Sequence, residues 1–294
     1  MLKIASMRVC KFGGSSLANS DGFRNAAQIM LNSDKRRVMV LSAPGKHHDS
    51  GKKITDALFG IVKKNQLGRD FSKMRDTVLD QLRNIESGLL GSESISKTLF
   101  DTFEKRLEMG PADVVSMGEE FSCAVMVEYL NKMEISVGVF DPINLLVEIN
   151  GNGRVYVPPA AYPIIQRVLS DLMKKYKIVC SPGFFGTDAE KKRHLFSRGG
   201  SDYTAVVLAA ALSAECCEKF TDVDGVMDAN PRIFEHAQII PQLTYDDFIE
   251  IVKNSRSSPF HLDALRVARD AGLCLRIVNS SNPDAEGTIV GSCK

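Results

Sequence analysis

The chain has 294 residues, of which 44% are hydrophobic and 25% charged, proportions typical of a soluble globular protein with a sizeable core. Its 37 basic and 36 acidic side chains leave a formal net charge of +1, so no overall field recruits nucleic acid or an anionic membrane. The seven scattered cysteines form no C-x-x-C pair, which indicates reduced thiols rather than a disulfide framework or a zinc site.

Neither a leader nor a membrane span is predicted. The N-terminal apolar stretch is interrupted by Lys3, Arg8 and Lys11, which argues against a signal peptide. The longest apolar run, about Thr204 to Ala214, is too short to cross a bilayer. We therefore expect a cytoplasmic protein whose ligands bind at local sites.

Short apolar runs rich in β-branched residues alternate along the chain with helical patterns. The predicted strands are Met7–Phe12, Arg37–Ser42, Ile135–Phe140, Lys177–Ser181, Cys216–Thr221 and Leu273–Asn279. The predicted helices are Gly22–Leu31, Lys52–Lys64, Phe71–Ile85, Ser94–Glu108, Glu119–Lys132, Ala160–Lys174, Asp202–Leu212, Tyr245–Lys253 and Asp263–Ala271. This alternation predicts an α/β fold with a mostly parallel sheet covered on both faces. Turn residues cluster at Pro182–Asp188, where a soft boundary is expected.

A first glycine-rich segment, Lys11–Ser16 (KFGGSS), follows the first predicted strand and precedes a helix. Ligands of parallel α/β sheets bind beyond the carboxyl ends of the strands, and paired glycines let backbone N–H groups approach a phosphate. Lys11 precedes the glycines, so this is not a Walker A loop, in which the lysine follows them. The alternative is a tight turn with a solvated lysine.

A second segment, Ser197–Ala205 (SRGGSDYTA), opens the apolar helix Asp202–Leu212. Ser201 is a candidate N-cap, and Asp202 then lies in the first turn, where the helix dipole favours a carboxylate. Helix formation does not account for Arg198, whose guanidinium offers a rigid fork to a carboxylate or phosphate.

A third segment, Thr221–Arg232 (TDVDGVMDANPR), follows the strand that ends at Thr221. Its acidic residues do not have the spacing of an EF-hand. Asp222 and Arg232 are suited to hold the ribose and the phosphates of a nucleotide. The alternative is an ordinary polar loop.

Together and in this order, these segments resemble the aspartate kinase branch of the amino acid kinase family. The other matching stretches are Val40–Gly45 (VLSAPG), Gly118-Glu119, Gly183–Gly186 (GFFG) and Asn279–Gly287 (NSSNPDAEG). The resemblance covers roughly residues 8–290. It implies one catalytic domain with the fold of a three-layer α/β/α sandwich, in which about residues 1–185 bind the amino acid and about residues 186–294 bind ATP.

The resemblance also implies an activity. Members of this branch transfer the γ-phosphoryl group of ATP, with Mg²⁺, to the side-chain carboxylate of L-aspartate. The product, 4-phospho-L-aspartate, leads to lysine, threonine and methionine. A homo-oligomer, most simply a dimer, is implied, with no nucleic acid or membrane as partner.

The same resemblance implies roles for individual residues. Lys11 bridges the transferring phosphoryl group, Asp202 organises that lysine, and Arg198 binds substrate carboxylates. Glu119 binds the substrate α-amino group, although it also favours the start of its helix. The remaining acceptor contacts are Ser42, Thr55 and Ser201, and the nucleotide contacts are Gly13, Gly14, Ser15, Thr221, Asp222, Met227 and Arg232.

Three positions depart from the family pattern. Many members carry a lysine in a Gly-Ala-Lys-Val-Leu-His-Pro segment near the phosphates, whereas this chain reads Ser257–Leu262 (SSPFHL), with Ser258 at the lysine position and His261 retained. Glu120 stands where an arginine is often found. Met227 replaces a usual aromatic residue, which weakens base stacking there.

Two other functions remain open. The chain could phosphorylate glutamate, a glutamate derivative or a nucleotide, against which the RGGSDYTA segment and Glu119 argue. It could also be a degenerate homologue that acts as a binding subunit, against which Lys11, Arg198 and Asp202 argue. Because the sequence ends soon after its last matching segment, we expect no C-terminal ACT regulatory domain, and no response to lysine, threonine or methionine unless a separate subunit supplies control.

Overall fold

The computed structural model describes residues 7–46, 53–229, 236–255 and 260–292. The strands of these residues are β1 (Arg8–Phe12), β2 (Arg36–Leu41), β3 (Val137–Val139), β4 (Glu148–Ile149), β5 (Val155–Tyr156), β6 (Ile178–Pro182), β7 (Phe185–Thr187), β8 (Arg193–Leu195), β9 (Cys216–Thr221), β10 (Gln242–Leu243), β11 (Cys274–Asn279) and β12 (Thr288–Val290). The α-helices are α1 (Ser20–Leu31), α2 (Ile54–Gln66), α3 (Ser72–Leu90), α4 (Ser94–Asp101), α5 (Phe103–Met109), α6 (Pro111–Val115), α7 (Met117–Lys132), α8 (Tyr162–Lys175), α9 (Gly200–Leu212), α10 (Tyr245–Asn254) and α11 (Leu262–Asp270).

Within the described ranges, eight strands form one central sheet in the order β10-β12-β11-β9-β1-β2-β6-β3. Neighbouring strands in this sheet run parallel, except that β11 and β12 are antiparallel. After β1 the chain first adds β2 on one side of it, and later returns to place β9 on the other side. Ligands of open parallel sheets bind at such a change of direction, beyond the carboxyl ends of the strands.

Helices cover both faces of the sheet, so the predicted three-layer α/β/α sandwich is confirmed. Alternation along β1 sends Val9 into one core, with α8 to α11, and Cys10 and Phe12 into the other, with α1 to α7. Lys11 therefore lies on the same face of the sheet as Val9, the face that packs against α9.

The predicted long elements agree closely with the structure, and the differences are local. The predicted strand Cys216–Thr221 has the observed bounds, whereas the predicted helix Ser94–Glu108 is divided at Thr102 into α4 and α5. The prediction that Ser201 caps α9 is wrong. The helix begins at Gly200 after Gly199, whose φ of +87° is easily adopted by glycine, and Ser201 lies inside the first turn.

The sulfur chemistry agrees with the prediction only in part. The cysteines that are free and buried are Cys10, Cys123, Cys180, Cys216 and Cys217. Cys274 is disulfide-bonded, so the prediction of reduced thiols is wrong at this position, because sequence spacing does not reveal which cysteines approach one another. No helix in the described part of the chain is long and apolar enough to cross a membrane.

Candidate active site

One buried carboxylate, that of Asp202, holds two lysines at the centre of the candidate site. Its Oδ1 lies 2.7 Å from Nζ of Lys11, and its Oδ2 lies 2.9 Å from Nζ of Lys219. Burial by itself raises the pKa of Asp202, but the Lys11 and Lys219 charges outweigh burial and lower it to about 2. Asp202 is therefore ionised at neutral pH and fixes both ammonium groups.

Strand register brings the two lysines together. Lys11 of β1 is the Cα partner of Lys219 on the adjacent parallel strand β9, so the two side chains leave the same face of the sheet. That face packs against α9, which carries Asp202 in its first turn. Lys219 was not among the residues singled out from the sequence, although a charge within an apolar strand is a recognisable signal.

The first and third sequence segments meet beside this cluster. The backbone N–H of Gly13 donates to the carbonyl of Phe220 over 3.2 Å, while Ser15 Oγ and Thr221 Oγ1 each lie 3.1 Å from Oδ1 of Asp222. A Cβ atom added to Gly13 would lie 3.5 Å from Nζ of Lys11, so the lysine lies against the glycine loop. The predicted nucleotide contacts Gly13, Ser15, Thr221 and Asp222 thus share one surface.

Gly14 allows a close backbone approach to the loop after β2. Its carbonyl accepts a hydrogen bond of 2.8 Å from the N–H of Gly45, and a Cβ at Gly14 would lie 2.9 Å from the carbonyl oxygen of Ala43. A larger residue would push the two loops apart, which explains why the sequence has glycine at both positions.

The loop after β2 also contacts Glu119 in the first turn of α7. Glu119 is 3% exposed, and burial raises the pKa of its carboxyl group to about 8, although hydrogen bonds from the N–H of Ala43 and from its own N–H favour the ionised form. Its Oε2 is buried without a hydrogen-bond partner among the described residues. An unpartnered buried carboxylate oxygen is costly and is suited to receive a charged donor such as an ammonium group.

The Arg198 side chain reaches the start of α2, where Thr55 lies. Nη2 of Arg198 is 3.1 Å from Oδ1 of Asp56, the residue after Thr55 at the start of α2. The Arg198 side chain is 87% exposed, so its guanidinium is available to a ligand. Ser42, half-buried after β2, is anchored by its N–H to the carbonyl of Phe12 over 3.2 Å.

Contacts of Ser201 and His261 hold the turn that carries Arg198. Ser201 is buried against Gly183, where an added Cβ would lie 2.7 Å from the Cβ of Ser201. Nε2 of His261 is 2.7 Å from Oγ of Ser197, and Nδ1 of the same ring accepts from the N–H of Ala264. The retained histidine thus joins the start of α11 to the glycine segment.

The other predicted positions have different outcomes. Met227 is half-buried and pairs with Ile239 in an isolated antiparallel bridge. Arg232 and Ser258 lie outside the described residues.

Glu120, which departs from the family pattern, pairs with Arg106 and with Arg193 over 2.6 Å each, so its charge is neutralised locally. Within the described ranges, no group of three or more His, Cys, Asp or Glu is placed to hold a metal ion.

Comparisons with known proteins found both similar sequences and similar folds. Residues 6–279 match the amino acid kinase family. Aspartokinase 3 of Bacillus subtilis is 32% identical over 97% of this chain and 64% of that protein, and the bifunctional aspartokinase/homoserine dehydrogenase of Haemophilus influenzae is 29% identical over 97% and 36%. The structure of E. coli aspartokinase III in complex with aspartate and ADP superposes with a TM-score of 0.83 at 26% identity, over 98% of this chain and 65% of that one. This chain therefore spans less than two thirds of the length of each of these proteins.

Proposed function

Because this chain belongs to the amino acid kinase family, we propose that it is an aspartate kinase, which transfers the γ-phosphoryl group of MgATP to the side-chain carboxylate of L-aspartate. The observation that carries the proposal is the buried Lys11–Asp202 pair, which lies against Gly13 at the carboxyl end of β1. The choice of aspartate is supported by the similar E. coli enzyme, whose structure contains aspartate and ADP.

We assign the donor site to the surface formed by the first glycine loop and the loop after β9. Backbone N–H groups of Gly13, Gly14 and Ser15 would bind phosphate oxygens, and Thr221 and Asp222 would bind the nucleoside. The resemblance adds Met227 and Arg232 to the predicted nucleotide contacts. Residues 186–294 would form the ATP lobe, consistent with β9 and β11 lying together on one side of β1.

We assign the acceptor site to the residues contributed by the first lobe, about residues 1–185, together with the turn before α9. The Glu119 carboxylate would hold the α-amino group of aspartate, since its Oε2 is buried without a partner among the described residues. The exposed guanidinium of Arg198 would bind a carboxylate of the substrate. Ser42, Thr55 and Ser201 would add hydroxyl contacts.

The reaction requires charge neutralisation more than proton transfer. The attacking aspartate carboxylate is already ionised at neutral pH and is repelled by the triphosphate, so positioning and cations supply most of the catalysis. Asp202, whose pKa is lowered to about 2, is too weak a base to take a proton; its role is to hold Lys11. Lys11 would follow the phosphoryl group as negative charge shifts in the transition state. Mg²⁺ enters as part of the substrate MgATP and offsets phosphate charge.

A coupled ADP-release assay with aspartate, glutamate, N-acetylglutamate and UMP as acceptors tests the proposal. We expect turnover with aspartate to exceed that with glutamate by about tenfold to a hundredfold, the usual discrimination for one methylene group, and that with N-acetylglutamate and UMP by more. Turnover with UMP or N-acetylglutamate alone would assign a different branch of the family, and no turnover with any acceptor would support a binding subunit.

Two further predictions accompany this activity. A homodimer, implied by the resemblance, is checked by sedimentation of the purified protein. A cytoplasmic location is checked by fractionation of cells that express the native chain.

A further inference from the structure

Lys219 lies at the centre of the candidate site, but the predicted mechanism gives it no role. Two contacts fix its position: it is paired in register with Lys11, and its Nζ lies 2.9 Å from Oδ2 of Asp202. The Phe260 ring adds a second support, with its centroid 4.9 Å from the same Nζ. Its side chain is 13% exposed, compared with 9% for that of Lys11, so it is at least as accessible to a ligand.

Placing a second ammonium group here has an electrostatic cost. Burial lowers the pKa of Lys219, and the neighbouring Lys11 charge lowers it further, while Asp202 and Asp222 act in the opposite direction. A polyanion that bound next to both lysines would relieve their repulsion and gain from each of them. The arrangement therefore favours a ligand that carries several negative charges, as a nucleoside triphosphate does.

A purely structural role does not require a lysine at this position. Cys217, two residues earlier on the same strand face, is buried in the core that lies under α9, and an apolar side chain at position 219 would continue that core without the cost of burying an ion. Glu218, on the opposite face, already supplies the ionic contacts that tie β9 to Arg36 and Arg276.

We propose that Lys219 is a second phosphate-binding lysine of the donor site, held beside Lys11 by the shared carboxylate of Asp202. The proposal rests on the proposed function in taking ATP as the donor. Ser258 stands where many family members carry a phosphate-site lysine, and Lys219 would provide the corresponding positive charge from β9. One acidic residue would then orient both cations that act on the phosphates.

Titration calorimetry with AMP, ADP and ATP in the presence of Mg²⁺ tests this assignment in the full chain. Lys219→Met should weaken ATP binding by about tenfold to a hundredfold, with a smaller loss for ADP and least for AMP, because hydrogen bonds between charged groups are strong. Lys219→Arg, which retains the charge, should recover most of the ATP affinity. Lys253→Met, which removes an exposed lysine of α10, is the matched control and should bind all three nucleotides as wild type does.

The possible outcomes separate this role from others. ATP affinity within threefold of wild type in Lys219→Met contradicts the proposal, as does an equal loss for AMP and ATP, which would indicate a structural role in the pocket. A greater loss of aspartate affinity than of ATP affinity would place Lys219 in the acceptor site and also overturn it. If Lys219→Met does not fold, Lys219→Gln takes its place in the same titrations. Absence of aspartate phosphorylation by the wild-type protein would refute the proposed acceptor, whereas the nucleotide series would still decide the role of Lys219.

Discussion

Arg198 and Asp56 join the second glycine segment to the start of α2, although they are 142 residues apart in sequence. The ion pair is solvent-exposed, with 87% of the Arg198 side chain and 42% of the Asp56 side chain accessible. Exposed pairs contribute little to stability, so a ligand can displace such a partner at small cost. Arg198 can therefore exchange Asp56 for a carboxylate of the substrate.

This pair leads to a prediction about substrate affinity. Arg198→Ala should raise the KM for aspartate by about tenfold to a hundredfold, the usual effect of losing a hydrogen bond to a charged group, and change the KM for ATP by less than about threefold. Asp56→Asn should alter both constants by less than about threefold, because the pair it removes is weak. Initial rates over matched substrate ranges measure both effects. A larger effect of Arg198→Ala on ATP than on aspartate would place the arginine in the donor site.

The Lys11–Asp202 pair predicts an effect on the chemical step. Lys11→Ala should lower kcat by about a hundredfold to a thousandfold, since removing one group that stabilises transition-state charge has this order of effect. The KM for ATP should change much less, because the interaction is strongest during transfer. Lys174→Ala, which removes an exposed lysine of α8, is the control. A kcat within threefold of wild type would exclude the assigned role.

We expect aspartate binding to depend on pH because Glu119 titrates near neutral pH. Burial raises the pKa of Glu119 from 4.5 to about 8, so the free protein holds this carboxyl group protonated at neutral pH. Binding an ammonium group requires the ionised form, and the apparent affinity scales with the competent fraction. The KM for aspartate should therefore fall as pH rises from about 6.5 to 8, by at most about tenfold per unit, and then level off.

The Gln variant gives the matching control for Glu119. Glu119→Gln should have a raised KM for aspartate that no longer varies with pH over this range, while the KM for ATP keeps the wild-type profile. A raised folded pKa also means that stability from this group declines as pH rises from 4.5 toward 8, because the folded state binds the extra proton. The same pH profile in wild type and Glu119→Gln would assign the titration to another group.

Replacing Glu218 should lower the stability of the folded protein strongly. Its fully buried carboxylate pairs with Arg36 at 2.7 Å, with Arg276 at 2.8 Å and with Arg8 at 3.2 Å. Glu218→Gln should lower the free energy of unfolding by about 3–5 kcal/mol, because it leaves buried guanidinium groups without their counter-charge. Glu250→Gln, at an exposed pair on α10, should cost less than about 1 kcal/mol. Urea denaturation at pH 7 measures both.

The contribution of Glu218 should also depend on pH. Burial by itself raises its pKa, but Arg36 first, and then Arg8 and Arg276, together outweigh burial through their charges and hydrogen bonds and leave the pKa below its ordinary value of 4.5. A lowered folded pKa gives stability that is present above pH 4.5 and is lost as pH falls below it. The difference between wild type and Glu218→Gln should therefore shrink in acid. A constant difference between pH 7 and pH 3 would mean that the charge of Glu218 is not its source.

The local pattern of the sequence predicted most of the architecture. Apolar runs of period two and the helical patterns between them are local properties, so strand β9 and helix α9 were located within two residues of their bounds. That Lys11 and Asp202 act together was implied by the family resemblance of the glycine segments and not by their local pattern; the structure places the two side chains 2.7 Å apart. Short strands such as β7 and β8 were missed, because pairing partners rather than their own composition define them.

Tertiary structure alone decided how the charges of the site are arranged. The sequence places Lys219 in an apolar strand, but only the register with Lys11 brings both ammonium groups onto Asp202. In the same way, the raised pKa of Glu119 and the pairing of Arg198 with Asp56 depend on burial and on contacts between distant segments. Register, burial and electrostatic coupling are set by which elements pack together, and this information is not contained in the local pattern of any one segment.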